Sequence, residues 1–204
     1  SGPVVVTVNG IASNSQEFSI SPNISGITPS SGPVGTTVTL TGTGFGSSQG
    51  SSVVTFNGVV ALVASWADTS ITLSVPAGAS AGVNSVVVTV GGSASNSVSF
   101  TVTPQVSSLN PASGPGGTIV TIYGTSFGAS QGGSTVTIGG ILASVTSWAN
   151  TQVVATVPVS LVAGAQNVVV TVGGNASNSV PFTVQGPTLT SLDPSSGPGG
   201  TTLT

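Results

Sequence analysis

The chain has 204 residues with no Lys, Arg, His, Cys or Met, and its three carboxylates give a formal net charge of −3. Without cations it cannot neutralise phosphates, so nucleic acid and anionic membrane surfaces are not partners; without imidazole, thiol or amine it lacks a general base, an activated nucleophile and soft metal ligands. It is therefore read as a non-enzyme with no catalytic residue, metal or cofactor, and no run of about 18 apolar residues marks a membrane-spanning helix.

The first segment, residues 1–20, alternates apolar and polar side chains around Asn9-Gly10. A two-residue hairpin turn needs positive φ at both positions, which Asn and Gly tolerate. The segment is predicted to be a hairpin. Its Val4, Val6, Val8 and Phe18 need a packing partner, because an isolated hairpin is marginal in water.

From residue 22 the period-2 pattern of half-buried strands continues. Val38 and Leu40 alternate with Thr37, Thr39 and Thr41, and Val54 and Phe56 flank Thr55. Ile71, Leu73 and Val75 enclose Thr72 and Ser74; Val86, Val88 and Val90 follow; Val98, Phe100 and Val102 enclose Ser99 and Thr101. The dipeptides Asn57-Gly58, Gly91-Gly92, Gly139-Gly140 and Gly173-Gly174 each separate two apolar runs and carry the same turn signal as Asn9-Gly10. No stretch has a helical period. About seven short strands in ~80 residues predict an all-β chain of tandem antiparallel sandwiches of immunoglobulin type.

The pattern then repeats. Phe45, Trp66, Pro76, Val90, Asn96 and Phe100 recur 82 residues later as Phe127, Trp148, Pro158, Val172, Asn178 and Phe182, and residues 24–103 match 106–185 at 45 of 80 positions. Val4 to Ser15 matches Val86 to Ser97 at the same spacing, and Leu192-Asp193-Pro194-Ser195-Ser196-Gly197-Pro198 repeats Ile27 to Pro33. The expected organisation is a C-terminal hairpin of a preceding repeat at 1–20, whole repeats at 22–103 and 104–185, and the first strands of a following repeat at 187–204.

The repeat resembles the IPT/TIG family of immunoglobulin-like domains, in the version common on bacterial surface proteins. The matching residues are Ile27, Pro29, Ser31-Gly32-Pro33 and Gly35-Thr36, then Gly42, Phe45-Gly46, Trp66, Asp68-Thr69, Val75-Pro76 and Val86 to Val90. Ala94-Ser95-Asn96 and Phe100-Thr101-Val102 complete the set, and it covers nearly the whole chain. The resemblance implies stalk or ligand-contact modules in animal receptors, DNA contact in one branch of transcription factors, and surface proteins or accessory domains of polysaccharide-degrading enzymes in bacteria. The total lack of basic residues departs from familiar members and excludes the DNA-contacting branch.

Within the repeat, Phe45, Trp66, Pro76 and Phe100, with Phe127, Trp148, Pro158 and Phe182, read as core or edge-of-core positions. A sugar-stacking role for the two Trp residues is the rival reading. Gly32-Pro33 and Gly114-Pro115 read as turns, since no helix or lysine follows to make a phosphate cradle. Asp68, replaced by Asn150, reads as a local Asx-turn residue, and Tyr123 as an outward strand position. Asn23-Ile24-Ser25 and Asn175-Ala176-Ser177 fit the N-glycosylation sequon at non-equivalent positions.

The sequence thus points to a structural protein, a surface filament, fibre or stalk located outside the cell. Proline-containing connections stiffen the joints, giving roughly 35–45 Å of rod per repeat. Neighbouring copies of the repeat or chain, and surface glycans, are the expected partners. An adhesin or carbohydrate-binding module, and a spacer of a larger secreted enzyme, are the alternatives.

Overall fold

In the computed structural model, residues 2–18, 20–191, 193, 195–200 and 202 are described. Every regular element among them is a β-strand. The N-terminal hairpin contains β1 (Gly2–Val4), β2 (Thr7–Val8), β3 (Ile11–Ala12) and β4 (Gln16–Phe18), with β1 on β4 and β2 on β3. Its turn is Asn9-Gly10, at φ 52° and 78°. Val4, Val6, Val8 and Phe18 are all exposed.

The first sandwich comprises β5 (Asn23–Thr28), β6 (Ser31–Gly32), β7 (Thr37–Thr43), β8 (Val53–Phe56), β9 (Val59–Val60), β10 (Leu62–Ala67), β11 (Ser70–Ser74), β12 (Gly82–Val90), β13 (Ser93–Ala94) and β14 (Val98–Val102). The second repeats it as β15 (Gln105–Asn110), β16 (Ser113–Gly114), β17 (Ile119–Thr125), β18 (Thr135–Ile138), β19 (Ile141–Leu142), β20 (Ser144–Ala149), β21 (Gln152–Thr156), β22 (Gly164–Val172), β23 (Asn175–Ala176) and β24 (Val180–Val184). In each, one sheet runs β10-β11-β7-β5 or its equivalent β20-β21-β17-β15, and the facing sheet runs β6-β14-β12-β8-β9 or β16-β24-β22-β18-β19. Seven strands of each repeat have four or more residues; the remainder have two.

Pairing is antiparallel except at β6 on β14 and β16 on β24, which are parallel. The chain leaves β5 at one sheet, crosses to the other over Pro29, and joins the last strand running the same way. The crossing is closed by Thr101 N–H to Ser30 O at 3.0 Å and Thr103 N–H to Gly32 O at 3.1 Å.

Two separate cores fill the sandwiches. Val38, Leu40, Phe45, Val54, Phe56, Ile71, Leu73, Val86, Val88, Phe100 and Val102 are buried in the first, while the intervening Thr and Ser face outward or lie at the edge. Phe56 meets Phe100 edge-on at 5.5 Å. Ile138 takes the Phe56 position in the second core, beside Phe182. The two sandwiches are joined end to end: only Thr103 and Pro104 separate β14 from β15. Among the described residues of 187–204 there is no strand, and Leu192 and Pro194 of the returning motif lie outside the described residues.

Candidate functional site

Each sandwich has a head, where β5 or β15 begins, and a tail, where β14 or β24 ends. At the head of the first, the loop after β7 is tied to the turn between β10 and β11. Gly42 N–H donates to Thr69 O at 3.0 Å, Phe45 N–H to Asp68 O at 3.1 Å, and Trp66 Nε1–H to Phe45 O at 2.9 Å. The Phe45 and Trp66 rings meet edge-on at 6.4 Å. The second repeat duplicates this, with Trp148 Nε1–H on Phe127 O at 2.9 Å and the rings 6.3 Å apart. Both indoles are half-buried, with the N–H of each bonded inside its own repeat. Among all aromatic residues only Phe18 and Tyr123 are exposed, on different elements.

Asp68 does not close a local turn. Its Oδ1 accepts the N–H of Gly46 at 2.9 Å, across 22 residues, and Asn150 does the same for Gly128 at 3.0 Å. The physical requirement is an acceptor, which Asp and Asn both supply. No group of His, Cys, Asp or Glu among the described residues could hold a metal.

The head is also pinned by a residue whose role sequence reasoning missed. Asn96 Oδ1 accepts Ile24 N–H at 2.7 Å and its Nδ2 donates to Ile24 O at 2.9 Å. Asn178 holds Val106 in the same way. Each amide joins the entry strand of one sheet to the edge of the other. The preceding Ser prepares it: Val88 N–H donates to Ser95 Oγ at 3.0 Å and Ser95 Oγ–H to Asn96 O at 2.6 Å. The N-terminal hairpin has the same serine pattern, with Val6 N–H on Ser13 Oγ at 3.1 Å. The legible signal was Ala-Ser-Asn recurring at the 82-residue spacing.

At the tail, Pro33 O accepts both the N–H of Thr36 at 3.1 Å and its Oγ1–H at 2.7 Å. A side chain at Gly32 would run into Thr36, and one at Gly114 into Thr118. Gly35 and Thr36 exchange backbone bonds with Val75, while Pro76 O caps Ala79 N–H at 3.0 Å and Pro158 O accepts from Leu161 at 3.4 Å. Gly32-Pro33, Pro76 and their equivalents therefore build the turns of the tail. Of the sequon residues, Asn23 is exposed at the start of β5, whereas Asn175 is half-buried with its Nδ2 turned to Gly173 O at 3.3 Å.

The tail of the first repeat meets the head of the second. Gly78, Ala79, Ser80 and Ala81 share one open cleft with Gly128, Ala129, Asn150 and Val172. Asn84, buried beneath this loop, holds it by donating to Ser80 O at 2.8 Å and Gly82 O at 2.9 Å. The joint presents glycine backbone, small apolar groups and the polar side chains of Ser80 and Asn150, with no charge.

The two-fold recurrence of head loop, clamp and tail coincides with two successive matches to the IPT/TIG domain, over residues 22–102 and 104–185. The chain belongs to the IPT/TIG domain family. No curated protein matches it. Among solved structures, a surface glycan-binding protein from Prevotella bryantii is similar at 20% identity and a TM-score of 0.47, over 80% of this chain and 42% of that one. SGBP-B from a complex xyloglucan utilization locus in Bacteroides uniformis is similar at 22% identity and a TM-score of 0.33, over 80% of this chain and 49% of that one. Gamma-CGTase from Alkalophilic bacillus clarkii is similar at 19% identity and a TM-score of 0.39, over 86% of this chain and 28% of that one. The IPT/TIG pair thus spans less than half the length of each of these proteins, and likeness at this level says nothing of what it binds.

Proposed function

We propose that this IPT/TIG pair is a stretch of an extracellular fibre or stalk, acting mechanically and spatially rather than chemically. The observation that carries this reading is the joint: two near-copies follow one another through two residues, Thr103 and Pro104, with the tail loop of one against the head of the next. Proline fixes φ and shortens the range of angles such a joint can take. Exposed serines and threonines in place of charges support a surface meant for exposure or lateral packing rather than for a titrating partner. Neighbouring copies are the partners on this reading, and Asn23 is the sequon residue open to a glycan.

Electron microscopy of the native material tests it. A continuous filament with axial periodicity of about 40 Å per repeat is expected. Short rods ending in a globular head, or an attached catalytic domain, would overturn the fibre and leave these repeats as a spacer. Retention on an immobilised polysaccharide would instead make them a binding module.

A further inference from the structure

The two repeats have equivalent tails, and among the described residues only the first lies against the head of another repeat. Along the loop that contributes to the joint, Ala79 and Asn84 are buried and Ala81 and Gly82 half-buried; their equivalents Leu161, Gln166, Ala163 and Gly164 are each one step more exposed. The head of the second repeat shows the complement: Thr125 is half-buried and Ser126 buried, where Thr43 is exposed and Gly44 half-buried in the first. Seating one repeat on the next therefore lowers the exposure of part of the tail loop and of the head loop, while Ala77, Gly78, Ser80 and Val83 stay exposed.

The uncovered tail is also the more apolar one. Val59, Val60, Ala77, Ala79 and Ser80 of the first repeat become Ile141, Leu142, Val159, Leu161 and Val162 in the second, a larger apolar side chain at every position. Val83 and Leu62 change the other way, to Ala165 and Ser144. The outcome is a patch with Leu142 at 66% exposure, Val159 at 82% and Val162 at 73%. The turn between β18 and β19 and the loop carrying Val159 and Val162 are neighbours, since a side chain at Gly139 would strike Leu161. Exposed apolar side chains gathered in one place mark a contact surface rather than ordinary scatter.

We propose that this patch is the seat for the head of a further IPT/TIG repeat on the same polypeptide. Two observations choose that occupant. The equivalent loop of the first repeat, Gly78 to Ala81, already shares a cleft with an IPT/TIG head, although Val60 and Ala77 beside it stay exposed. The residues that follow the patch, Ser195-Ser196-Gly197-Pro198-Gly199-Gly200-Thr201, restate the opening of a repeat, Ala112-Ser113-Gly114-Pro115-Gly116-Gly117-Thr118. A second copy of this chain is the poorer fit. To use the same joint geometry, its own residues 1–20 would have to vacate the space beside its first head, because they match the closing strands of a preceding repeat. The inference rests on the array reading above but is narrower, since an array with loose, uncovered joints would still be a fibre.

The test is to extend the chain beyond Thr204 by a copy of residues 122–185, which completes a third repeat in register, and to follow amide hydrogen exchange. In the extended chain, exchange at residues 159–164 is expected to slow about tenfold while exchange in β22 stays unchanged. Val159→Asp with Val162→Asp is expected to cancel that gain in the extended chain. In the 204-residue chain, where both positions face solvent, the same pair leaves core exchange unaltered. Equal exchange at 159–164 with and without the third repeat would overturn the proposal. Concentration-dependent protection of the 204-residue chain would also overturn it, in favour of a second copy. Either result leaves the electron-microscopy test of the fibre standing.

Discussion

Asn178 holds Val106 by both of its backbone polar groups: Val106 N–H donates to Asn178 Oδ1 at 2.9 Å, and Asn178 Nδ2 donates to Val106 O at 2.9 Å. The two residues are 72 apart, Val106 in β15 of one sheet and Asn178 in the loop between β23 and β24 of the facing one, so this amide is a rivet between the two sheets. It also fixes β15 directly after the two-residue joint. Asn178→Ala leaves both groups partly buried without their partner and is expected to cost about 2–4 kcal/mol. Urea denaturation checks it. Asn178→Asp adds a sign: an ionised carboxylate accepts from Val106 N–H but repels Val106 O, whereas the neutral acid can accept and donate. The folded state then favours the proton, so its pKa is raised. The Asp variant should be most stable below the unfolded carboxylate value of about 4 and lose stability as pH rises through the folded one.

The strands and turns were legible because each is written locally. The Thr-Val-Thr-Leu-Thr alternation needs only the two-residue period of a pleat to become β7, and the five Asn-Gly or Gly-Gly pairs read as hairpin turns have positive φ at both residues. The clamp was not legible, because nothing local distinguishes an Asn that rivets two sheets from one that merely ends a hairpin. Asp68 failed for the same reason: its partner Gly46 is 22 residues away, and a turn-forming role was the nearest local explanation. The uneven tails were present in the sequence at Ala77/Val159 and Ser80/Val162. They acquire meaning only once the fold places those loops at the joint.

Gly124 lies opposite Val106 in the β15–β17 ladder. A side chain there would strike the carbonyl of Gln105 and the ring of Phe127, neither of which can retreat: one belongs to the strand leaving the joint, the other to the core. Gly124→Ala is expected to lose about 3 kcal/mol as overpacking. Gly133→Ala, which faces open space, should change stability by less than about 0.5 kcal/mol. Comparable losses at the two positions in thermal unfolding would contradict the packing argument.

Ser126 works against the fold. Its φ is 60°, a left-handed conformation that the equivalent Gly44 takes at 75° without penalty, and its buried hydroxyl has no partner among the described residues. A non-glycine residue there pays roughly 1–2 kcal/mol, partly offset by glycine's larger unfolded-state entropy. Losing the orphan hydroxyl adds to the gain. Ser126→Gly should therefore raise stability by about 1–2 kcal/mol, read as a higher denaturant midpoint at unchanged slope. A lower midpoint would mean that the hydroxyl has a partner at the joint worth more than the strain.

Trp148 separates the structural reading of the head from a sugar-binding one. Its indole N–H is bonded to Phe127 O at 2.9 Å and its ring lies edge-on to Phe127 at 61°, so its polar edge is already used inside the repeat while the ring is half-buried. Trp148→Phe keeps most of the apolar area but removes the donor, leaving the Phe127 carbonyl unpaired. It should destabilise the second repeat by about 1–3 kcal/mol. Titrating the native chain with soluble oligosaccharides should leave its tryptophan emission unchanged. If Trp148→Phe instead left stability intact while a saturable emission shift in the native chain disappeared with it, the indole would be a stacking platform. The head would then be a binding site rather than a joint.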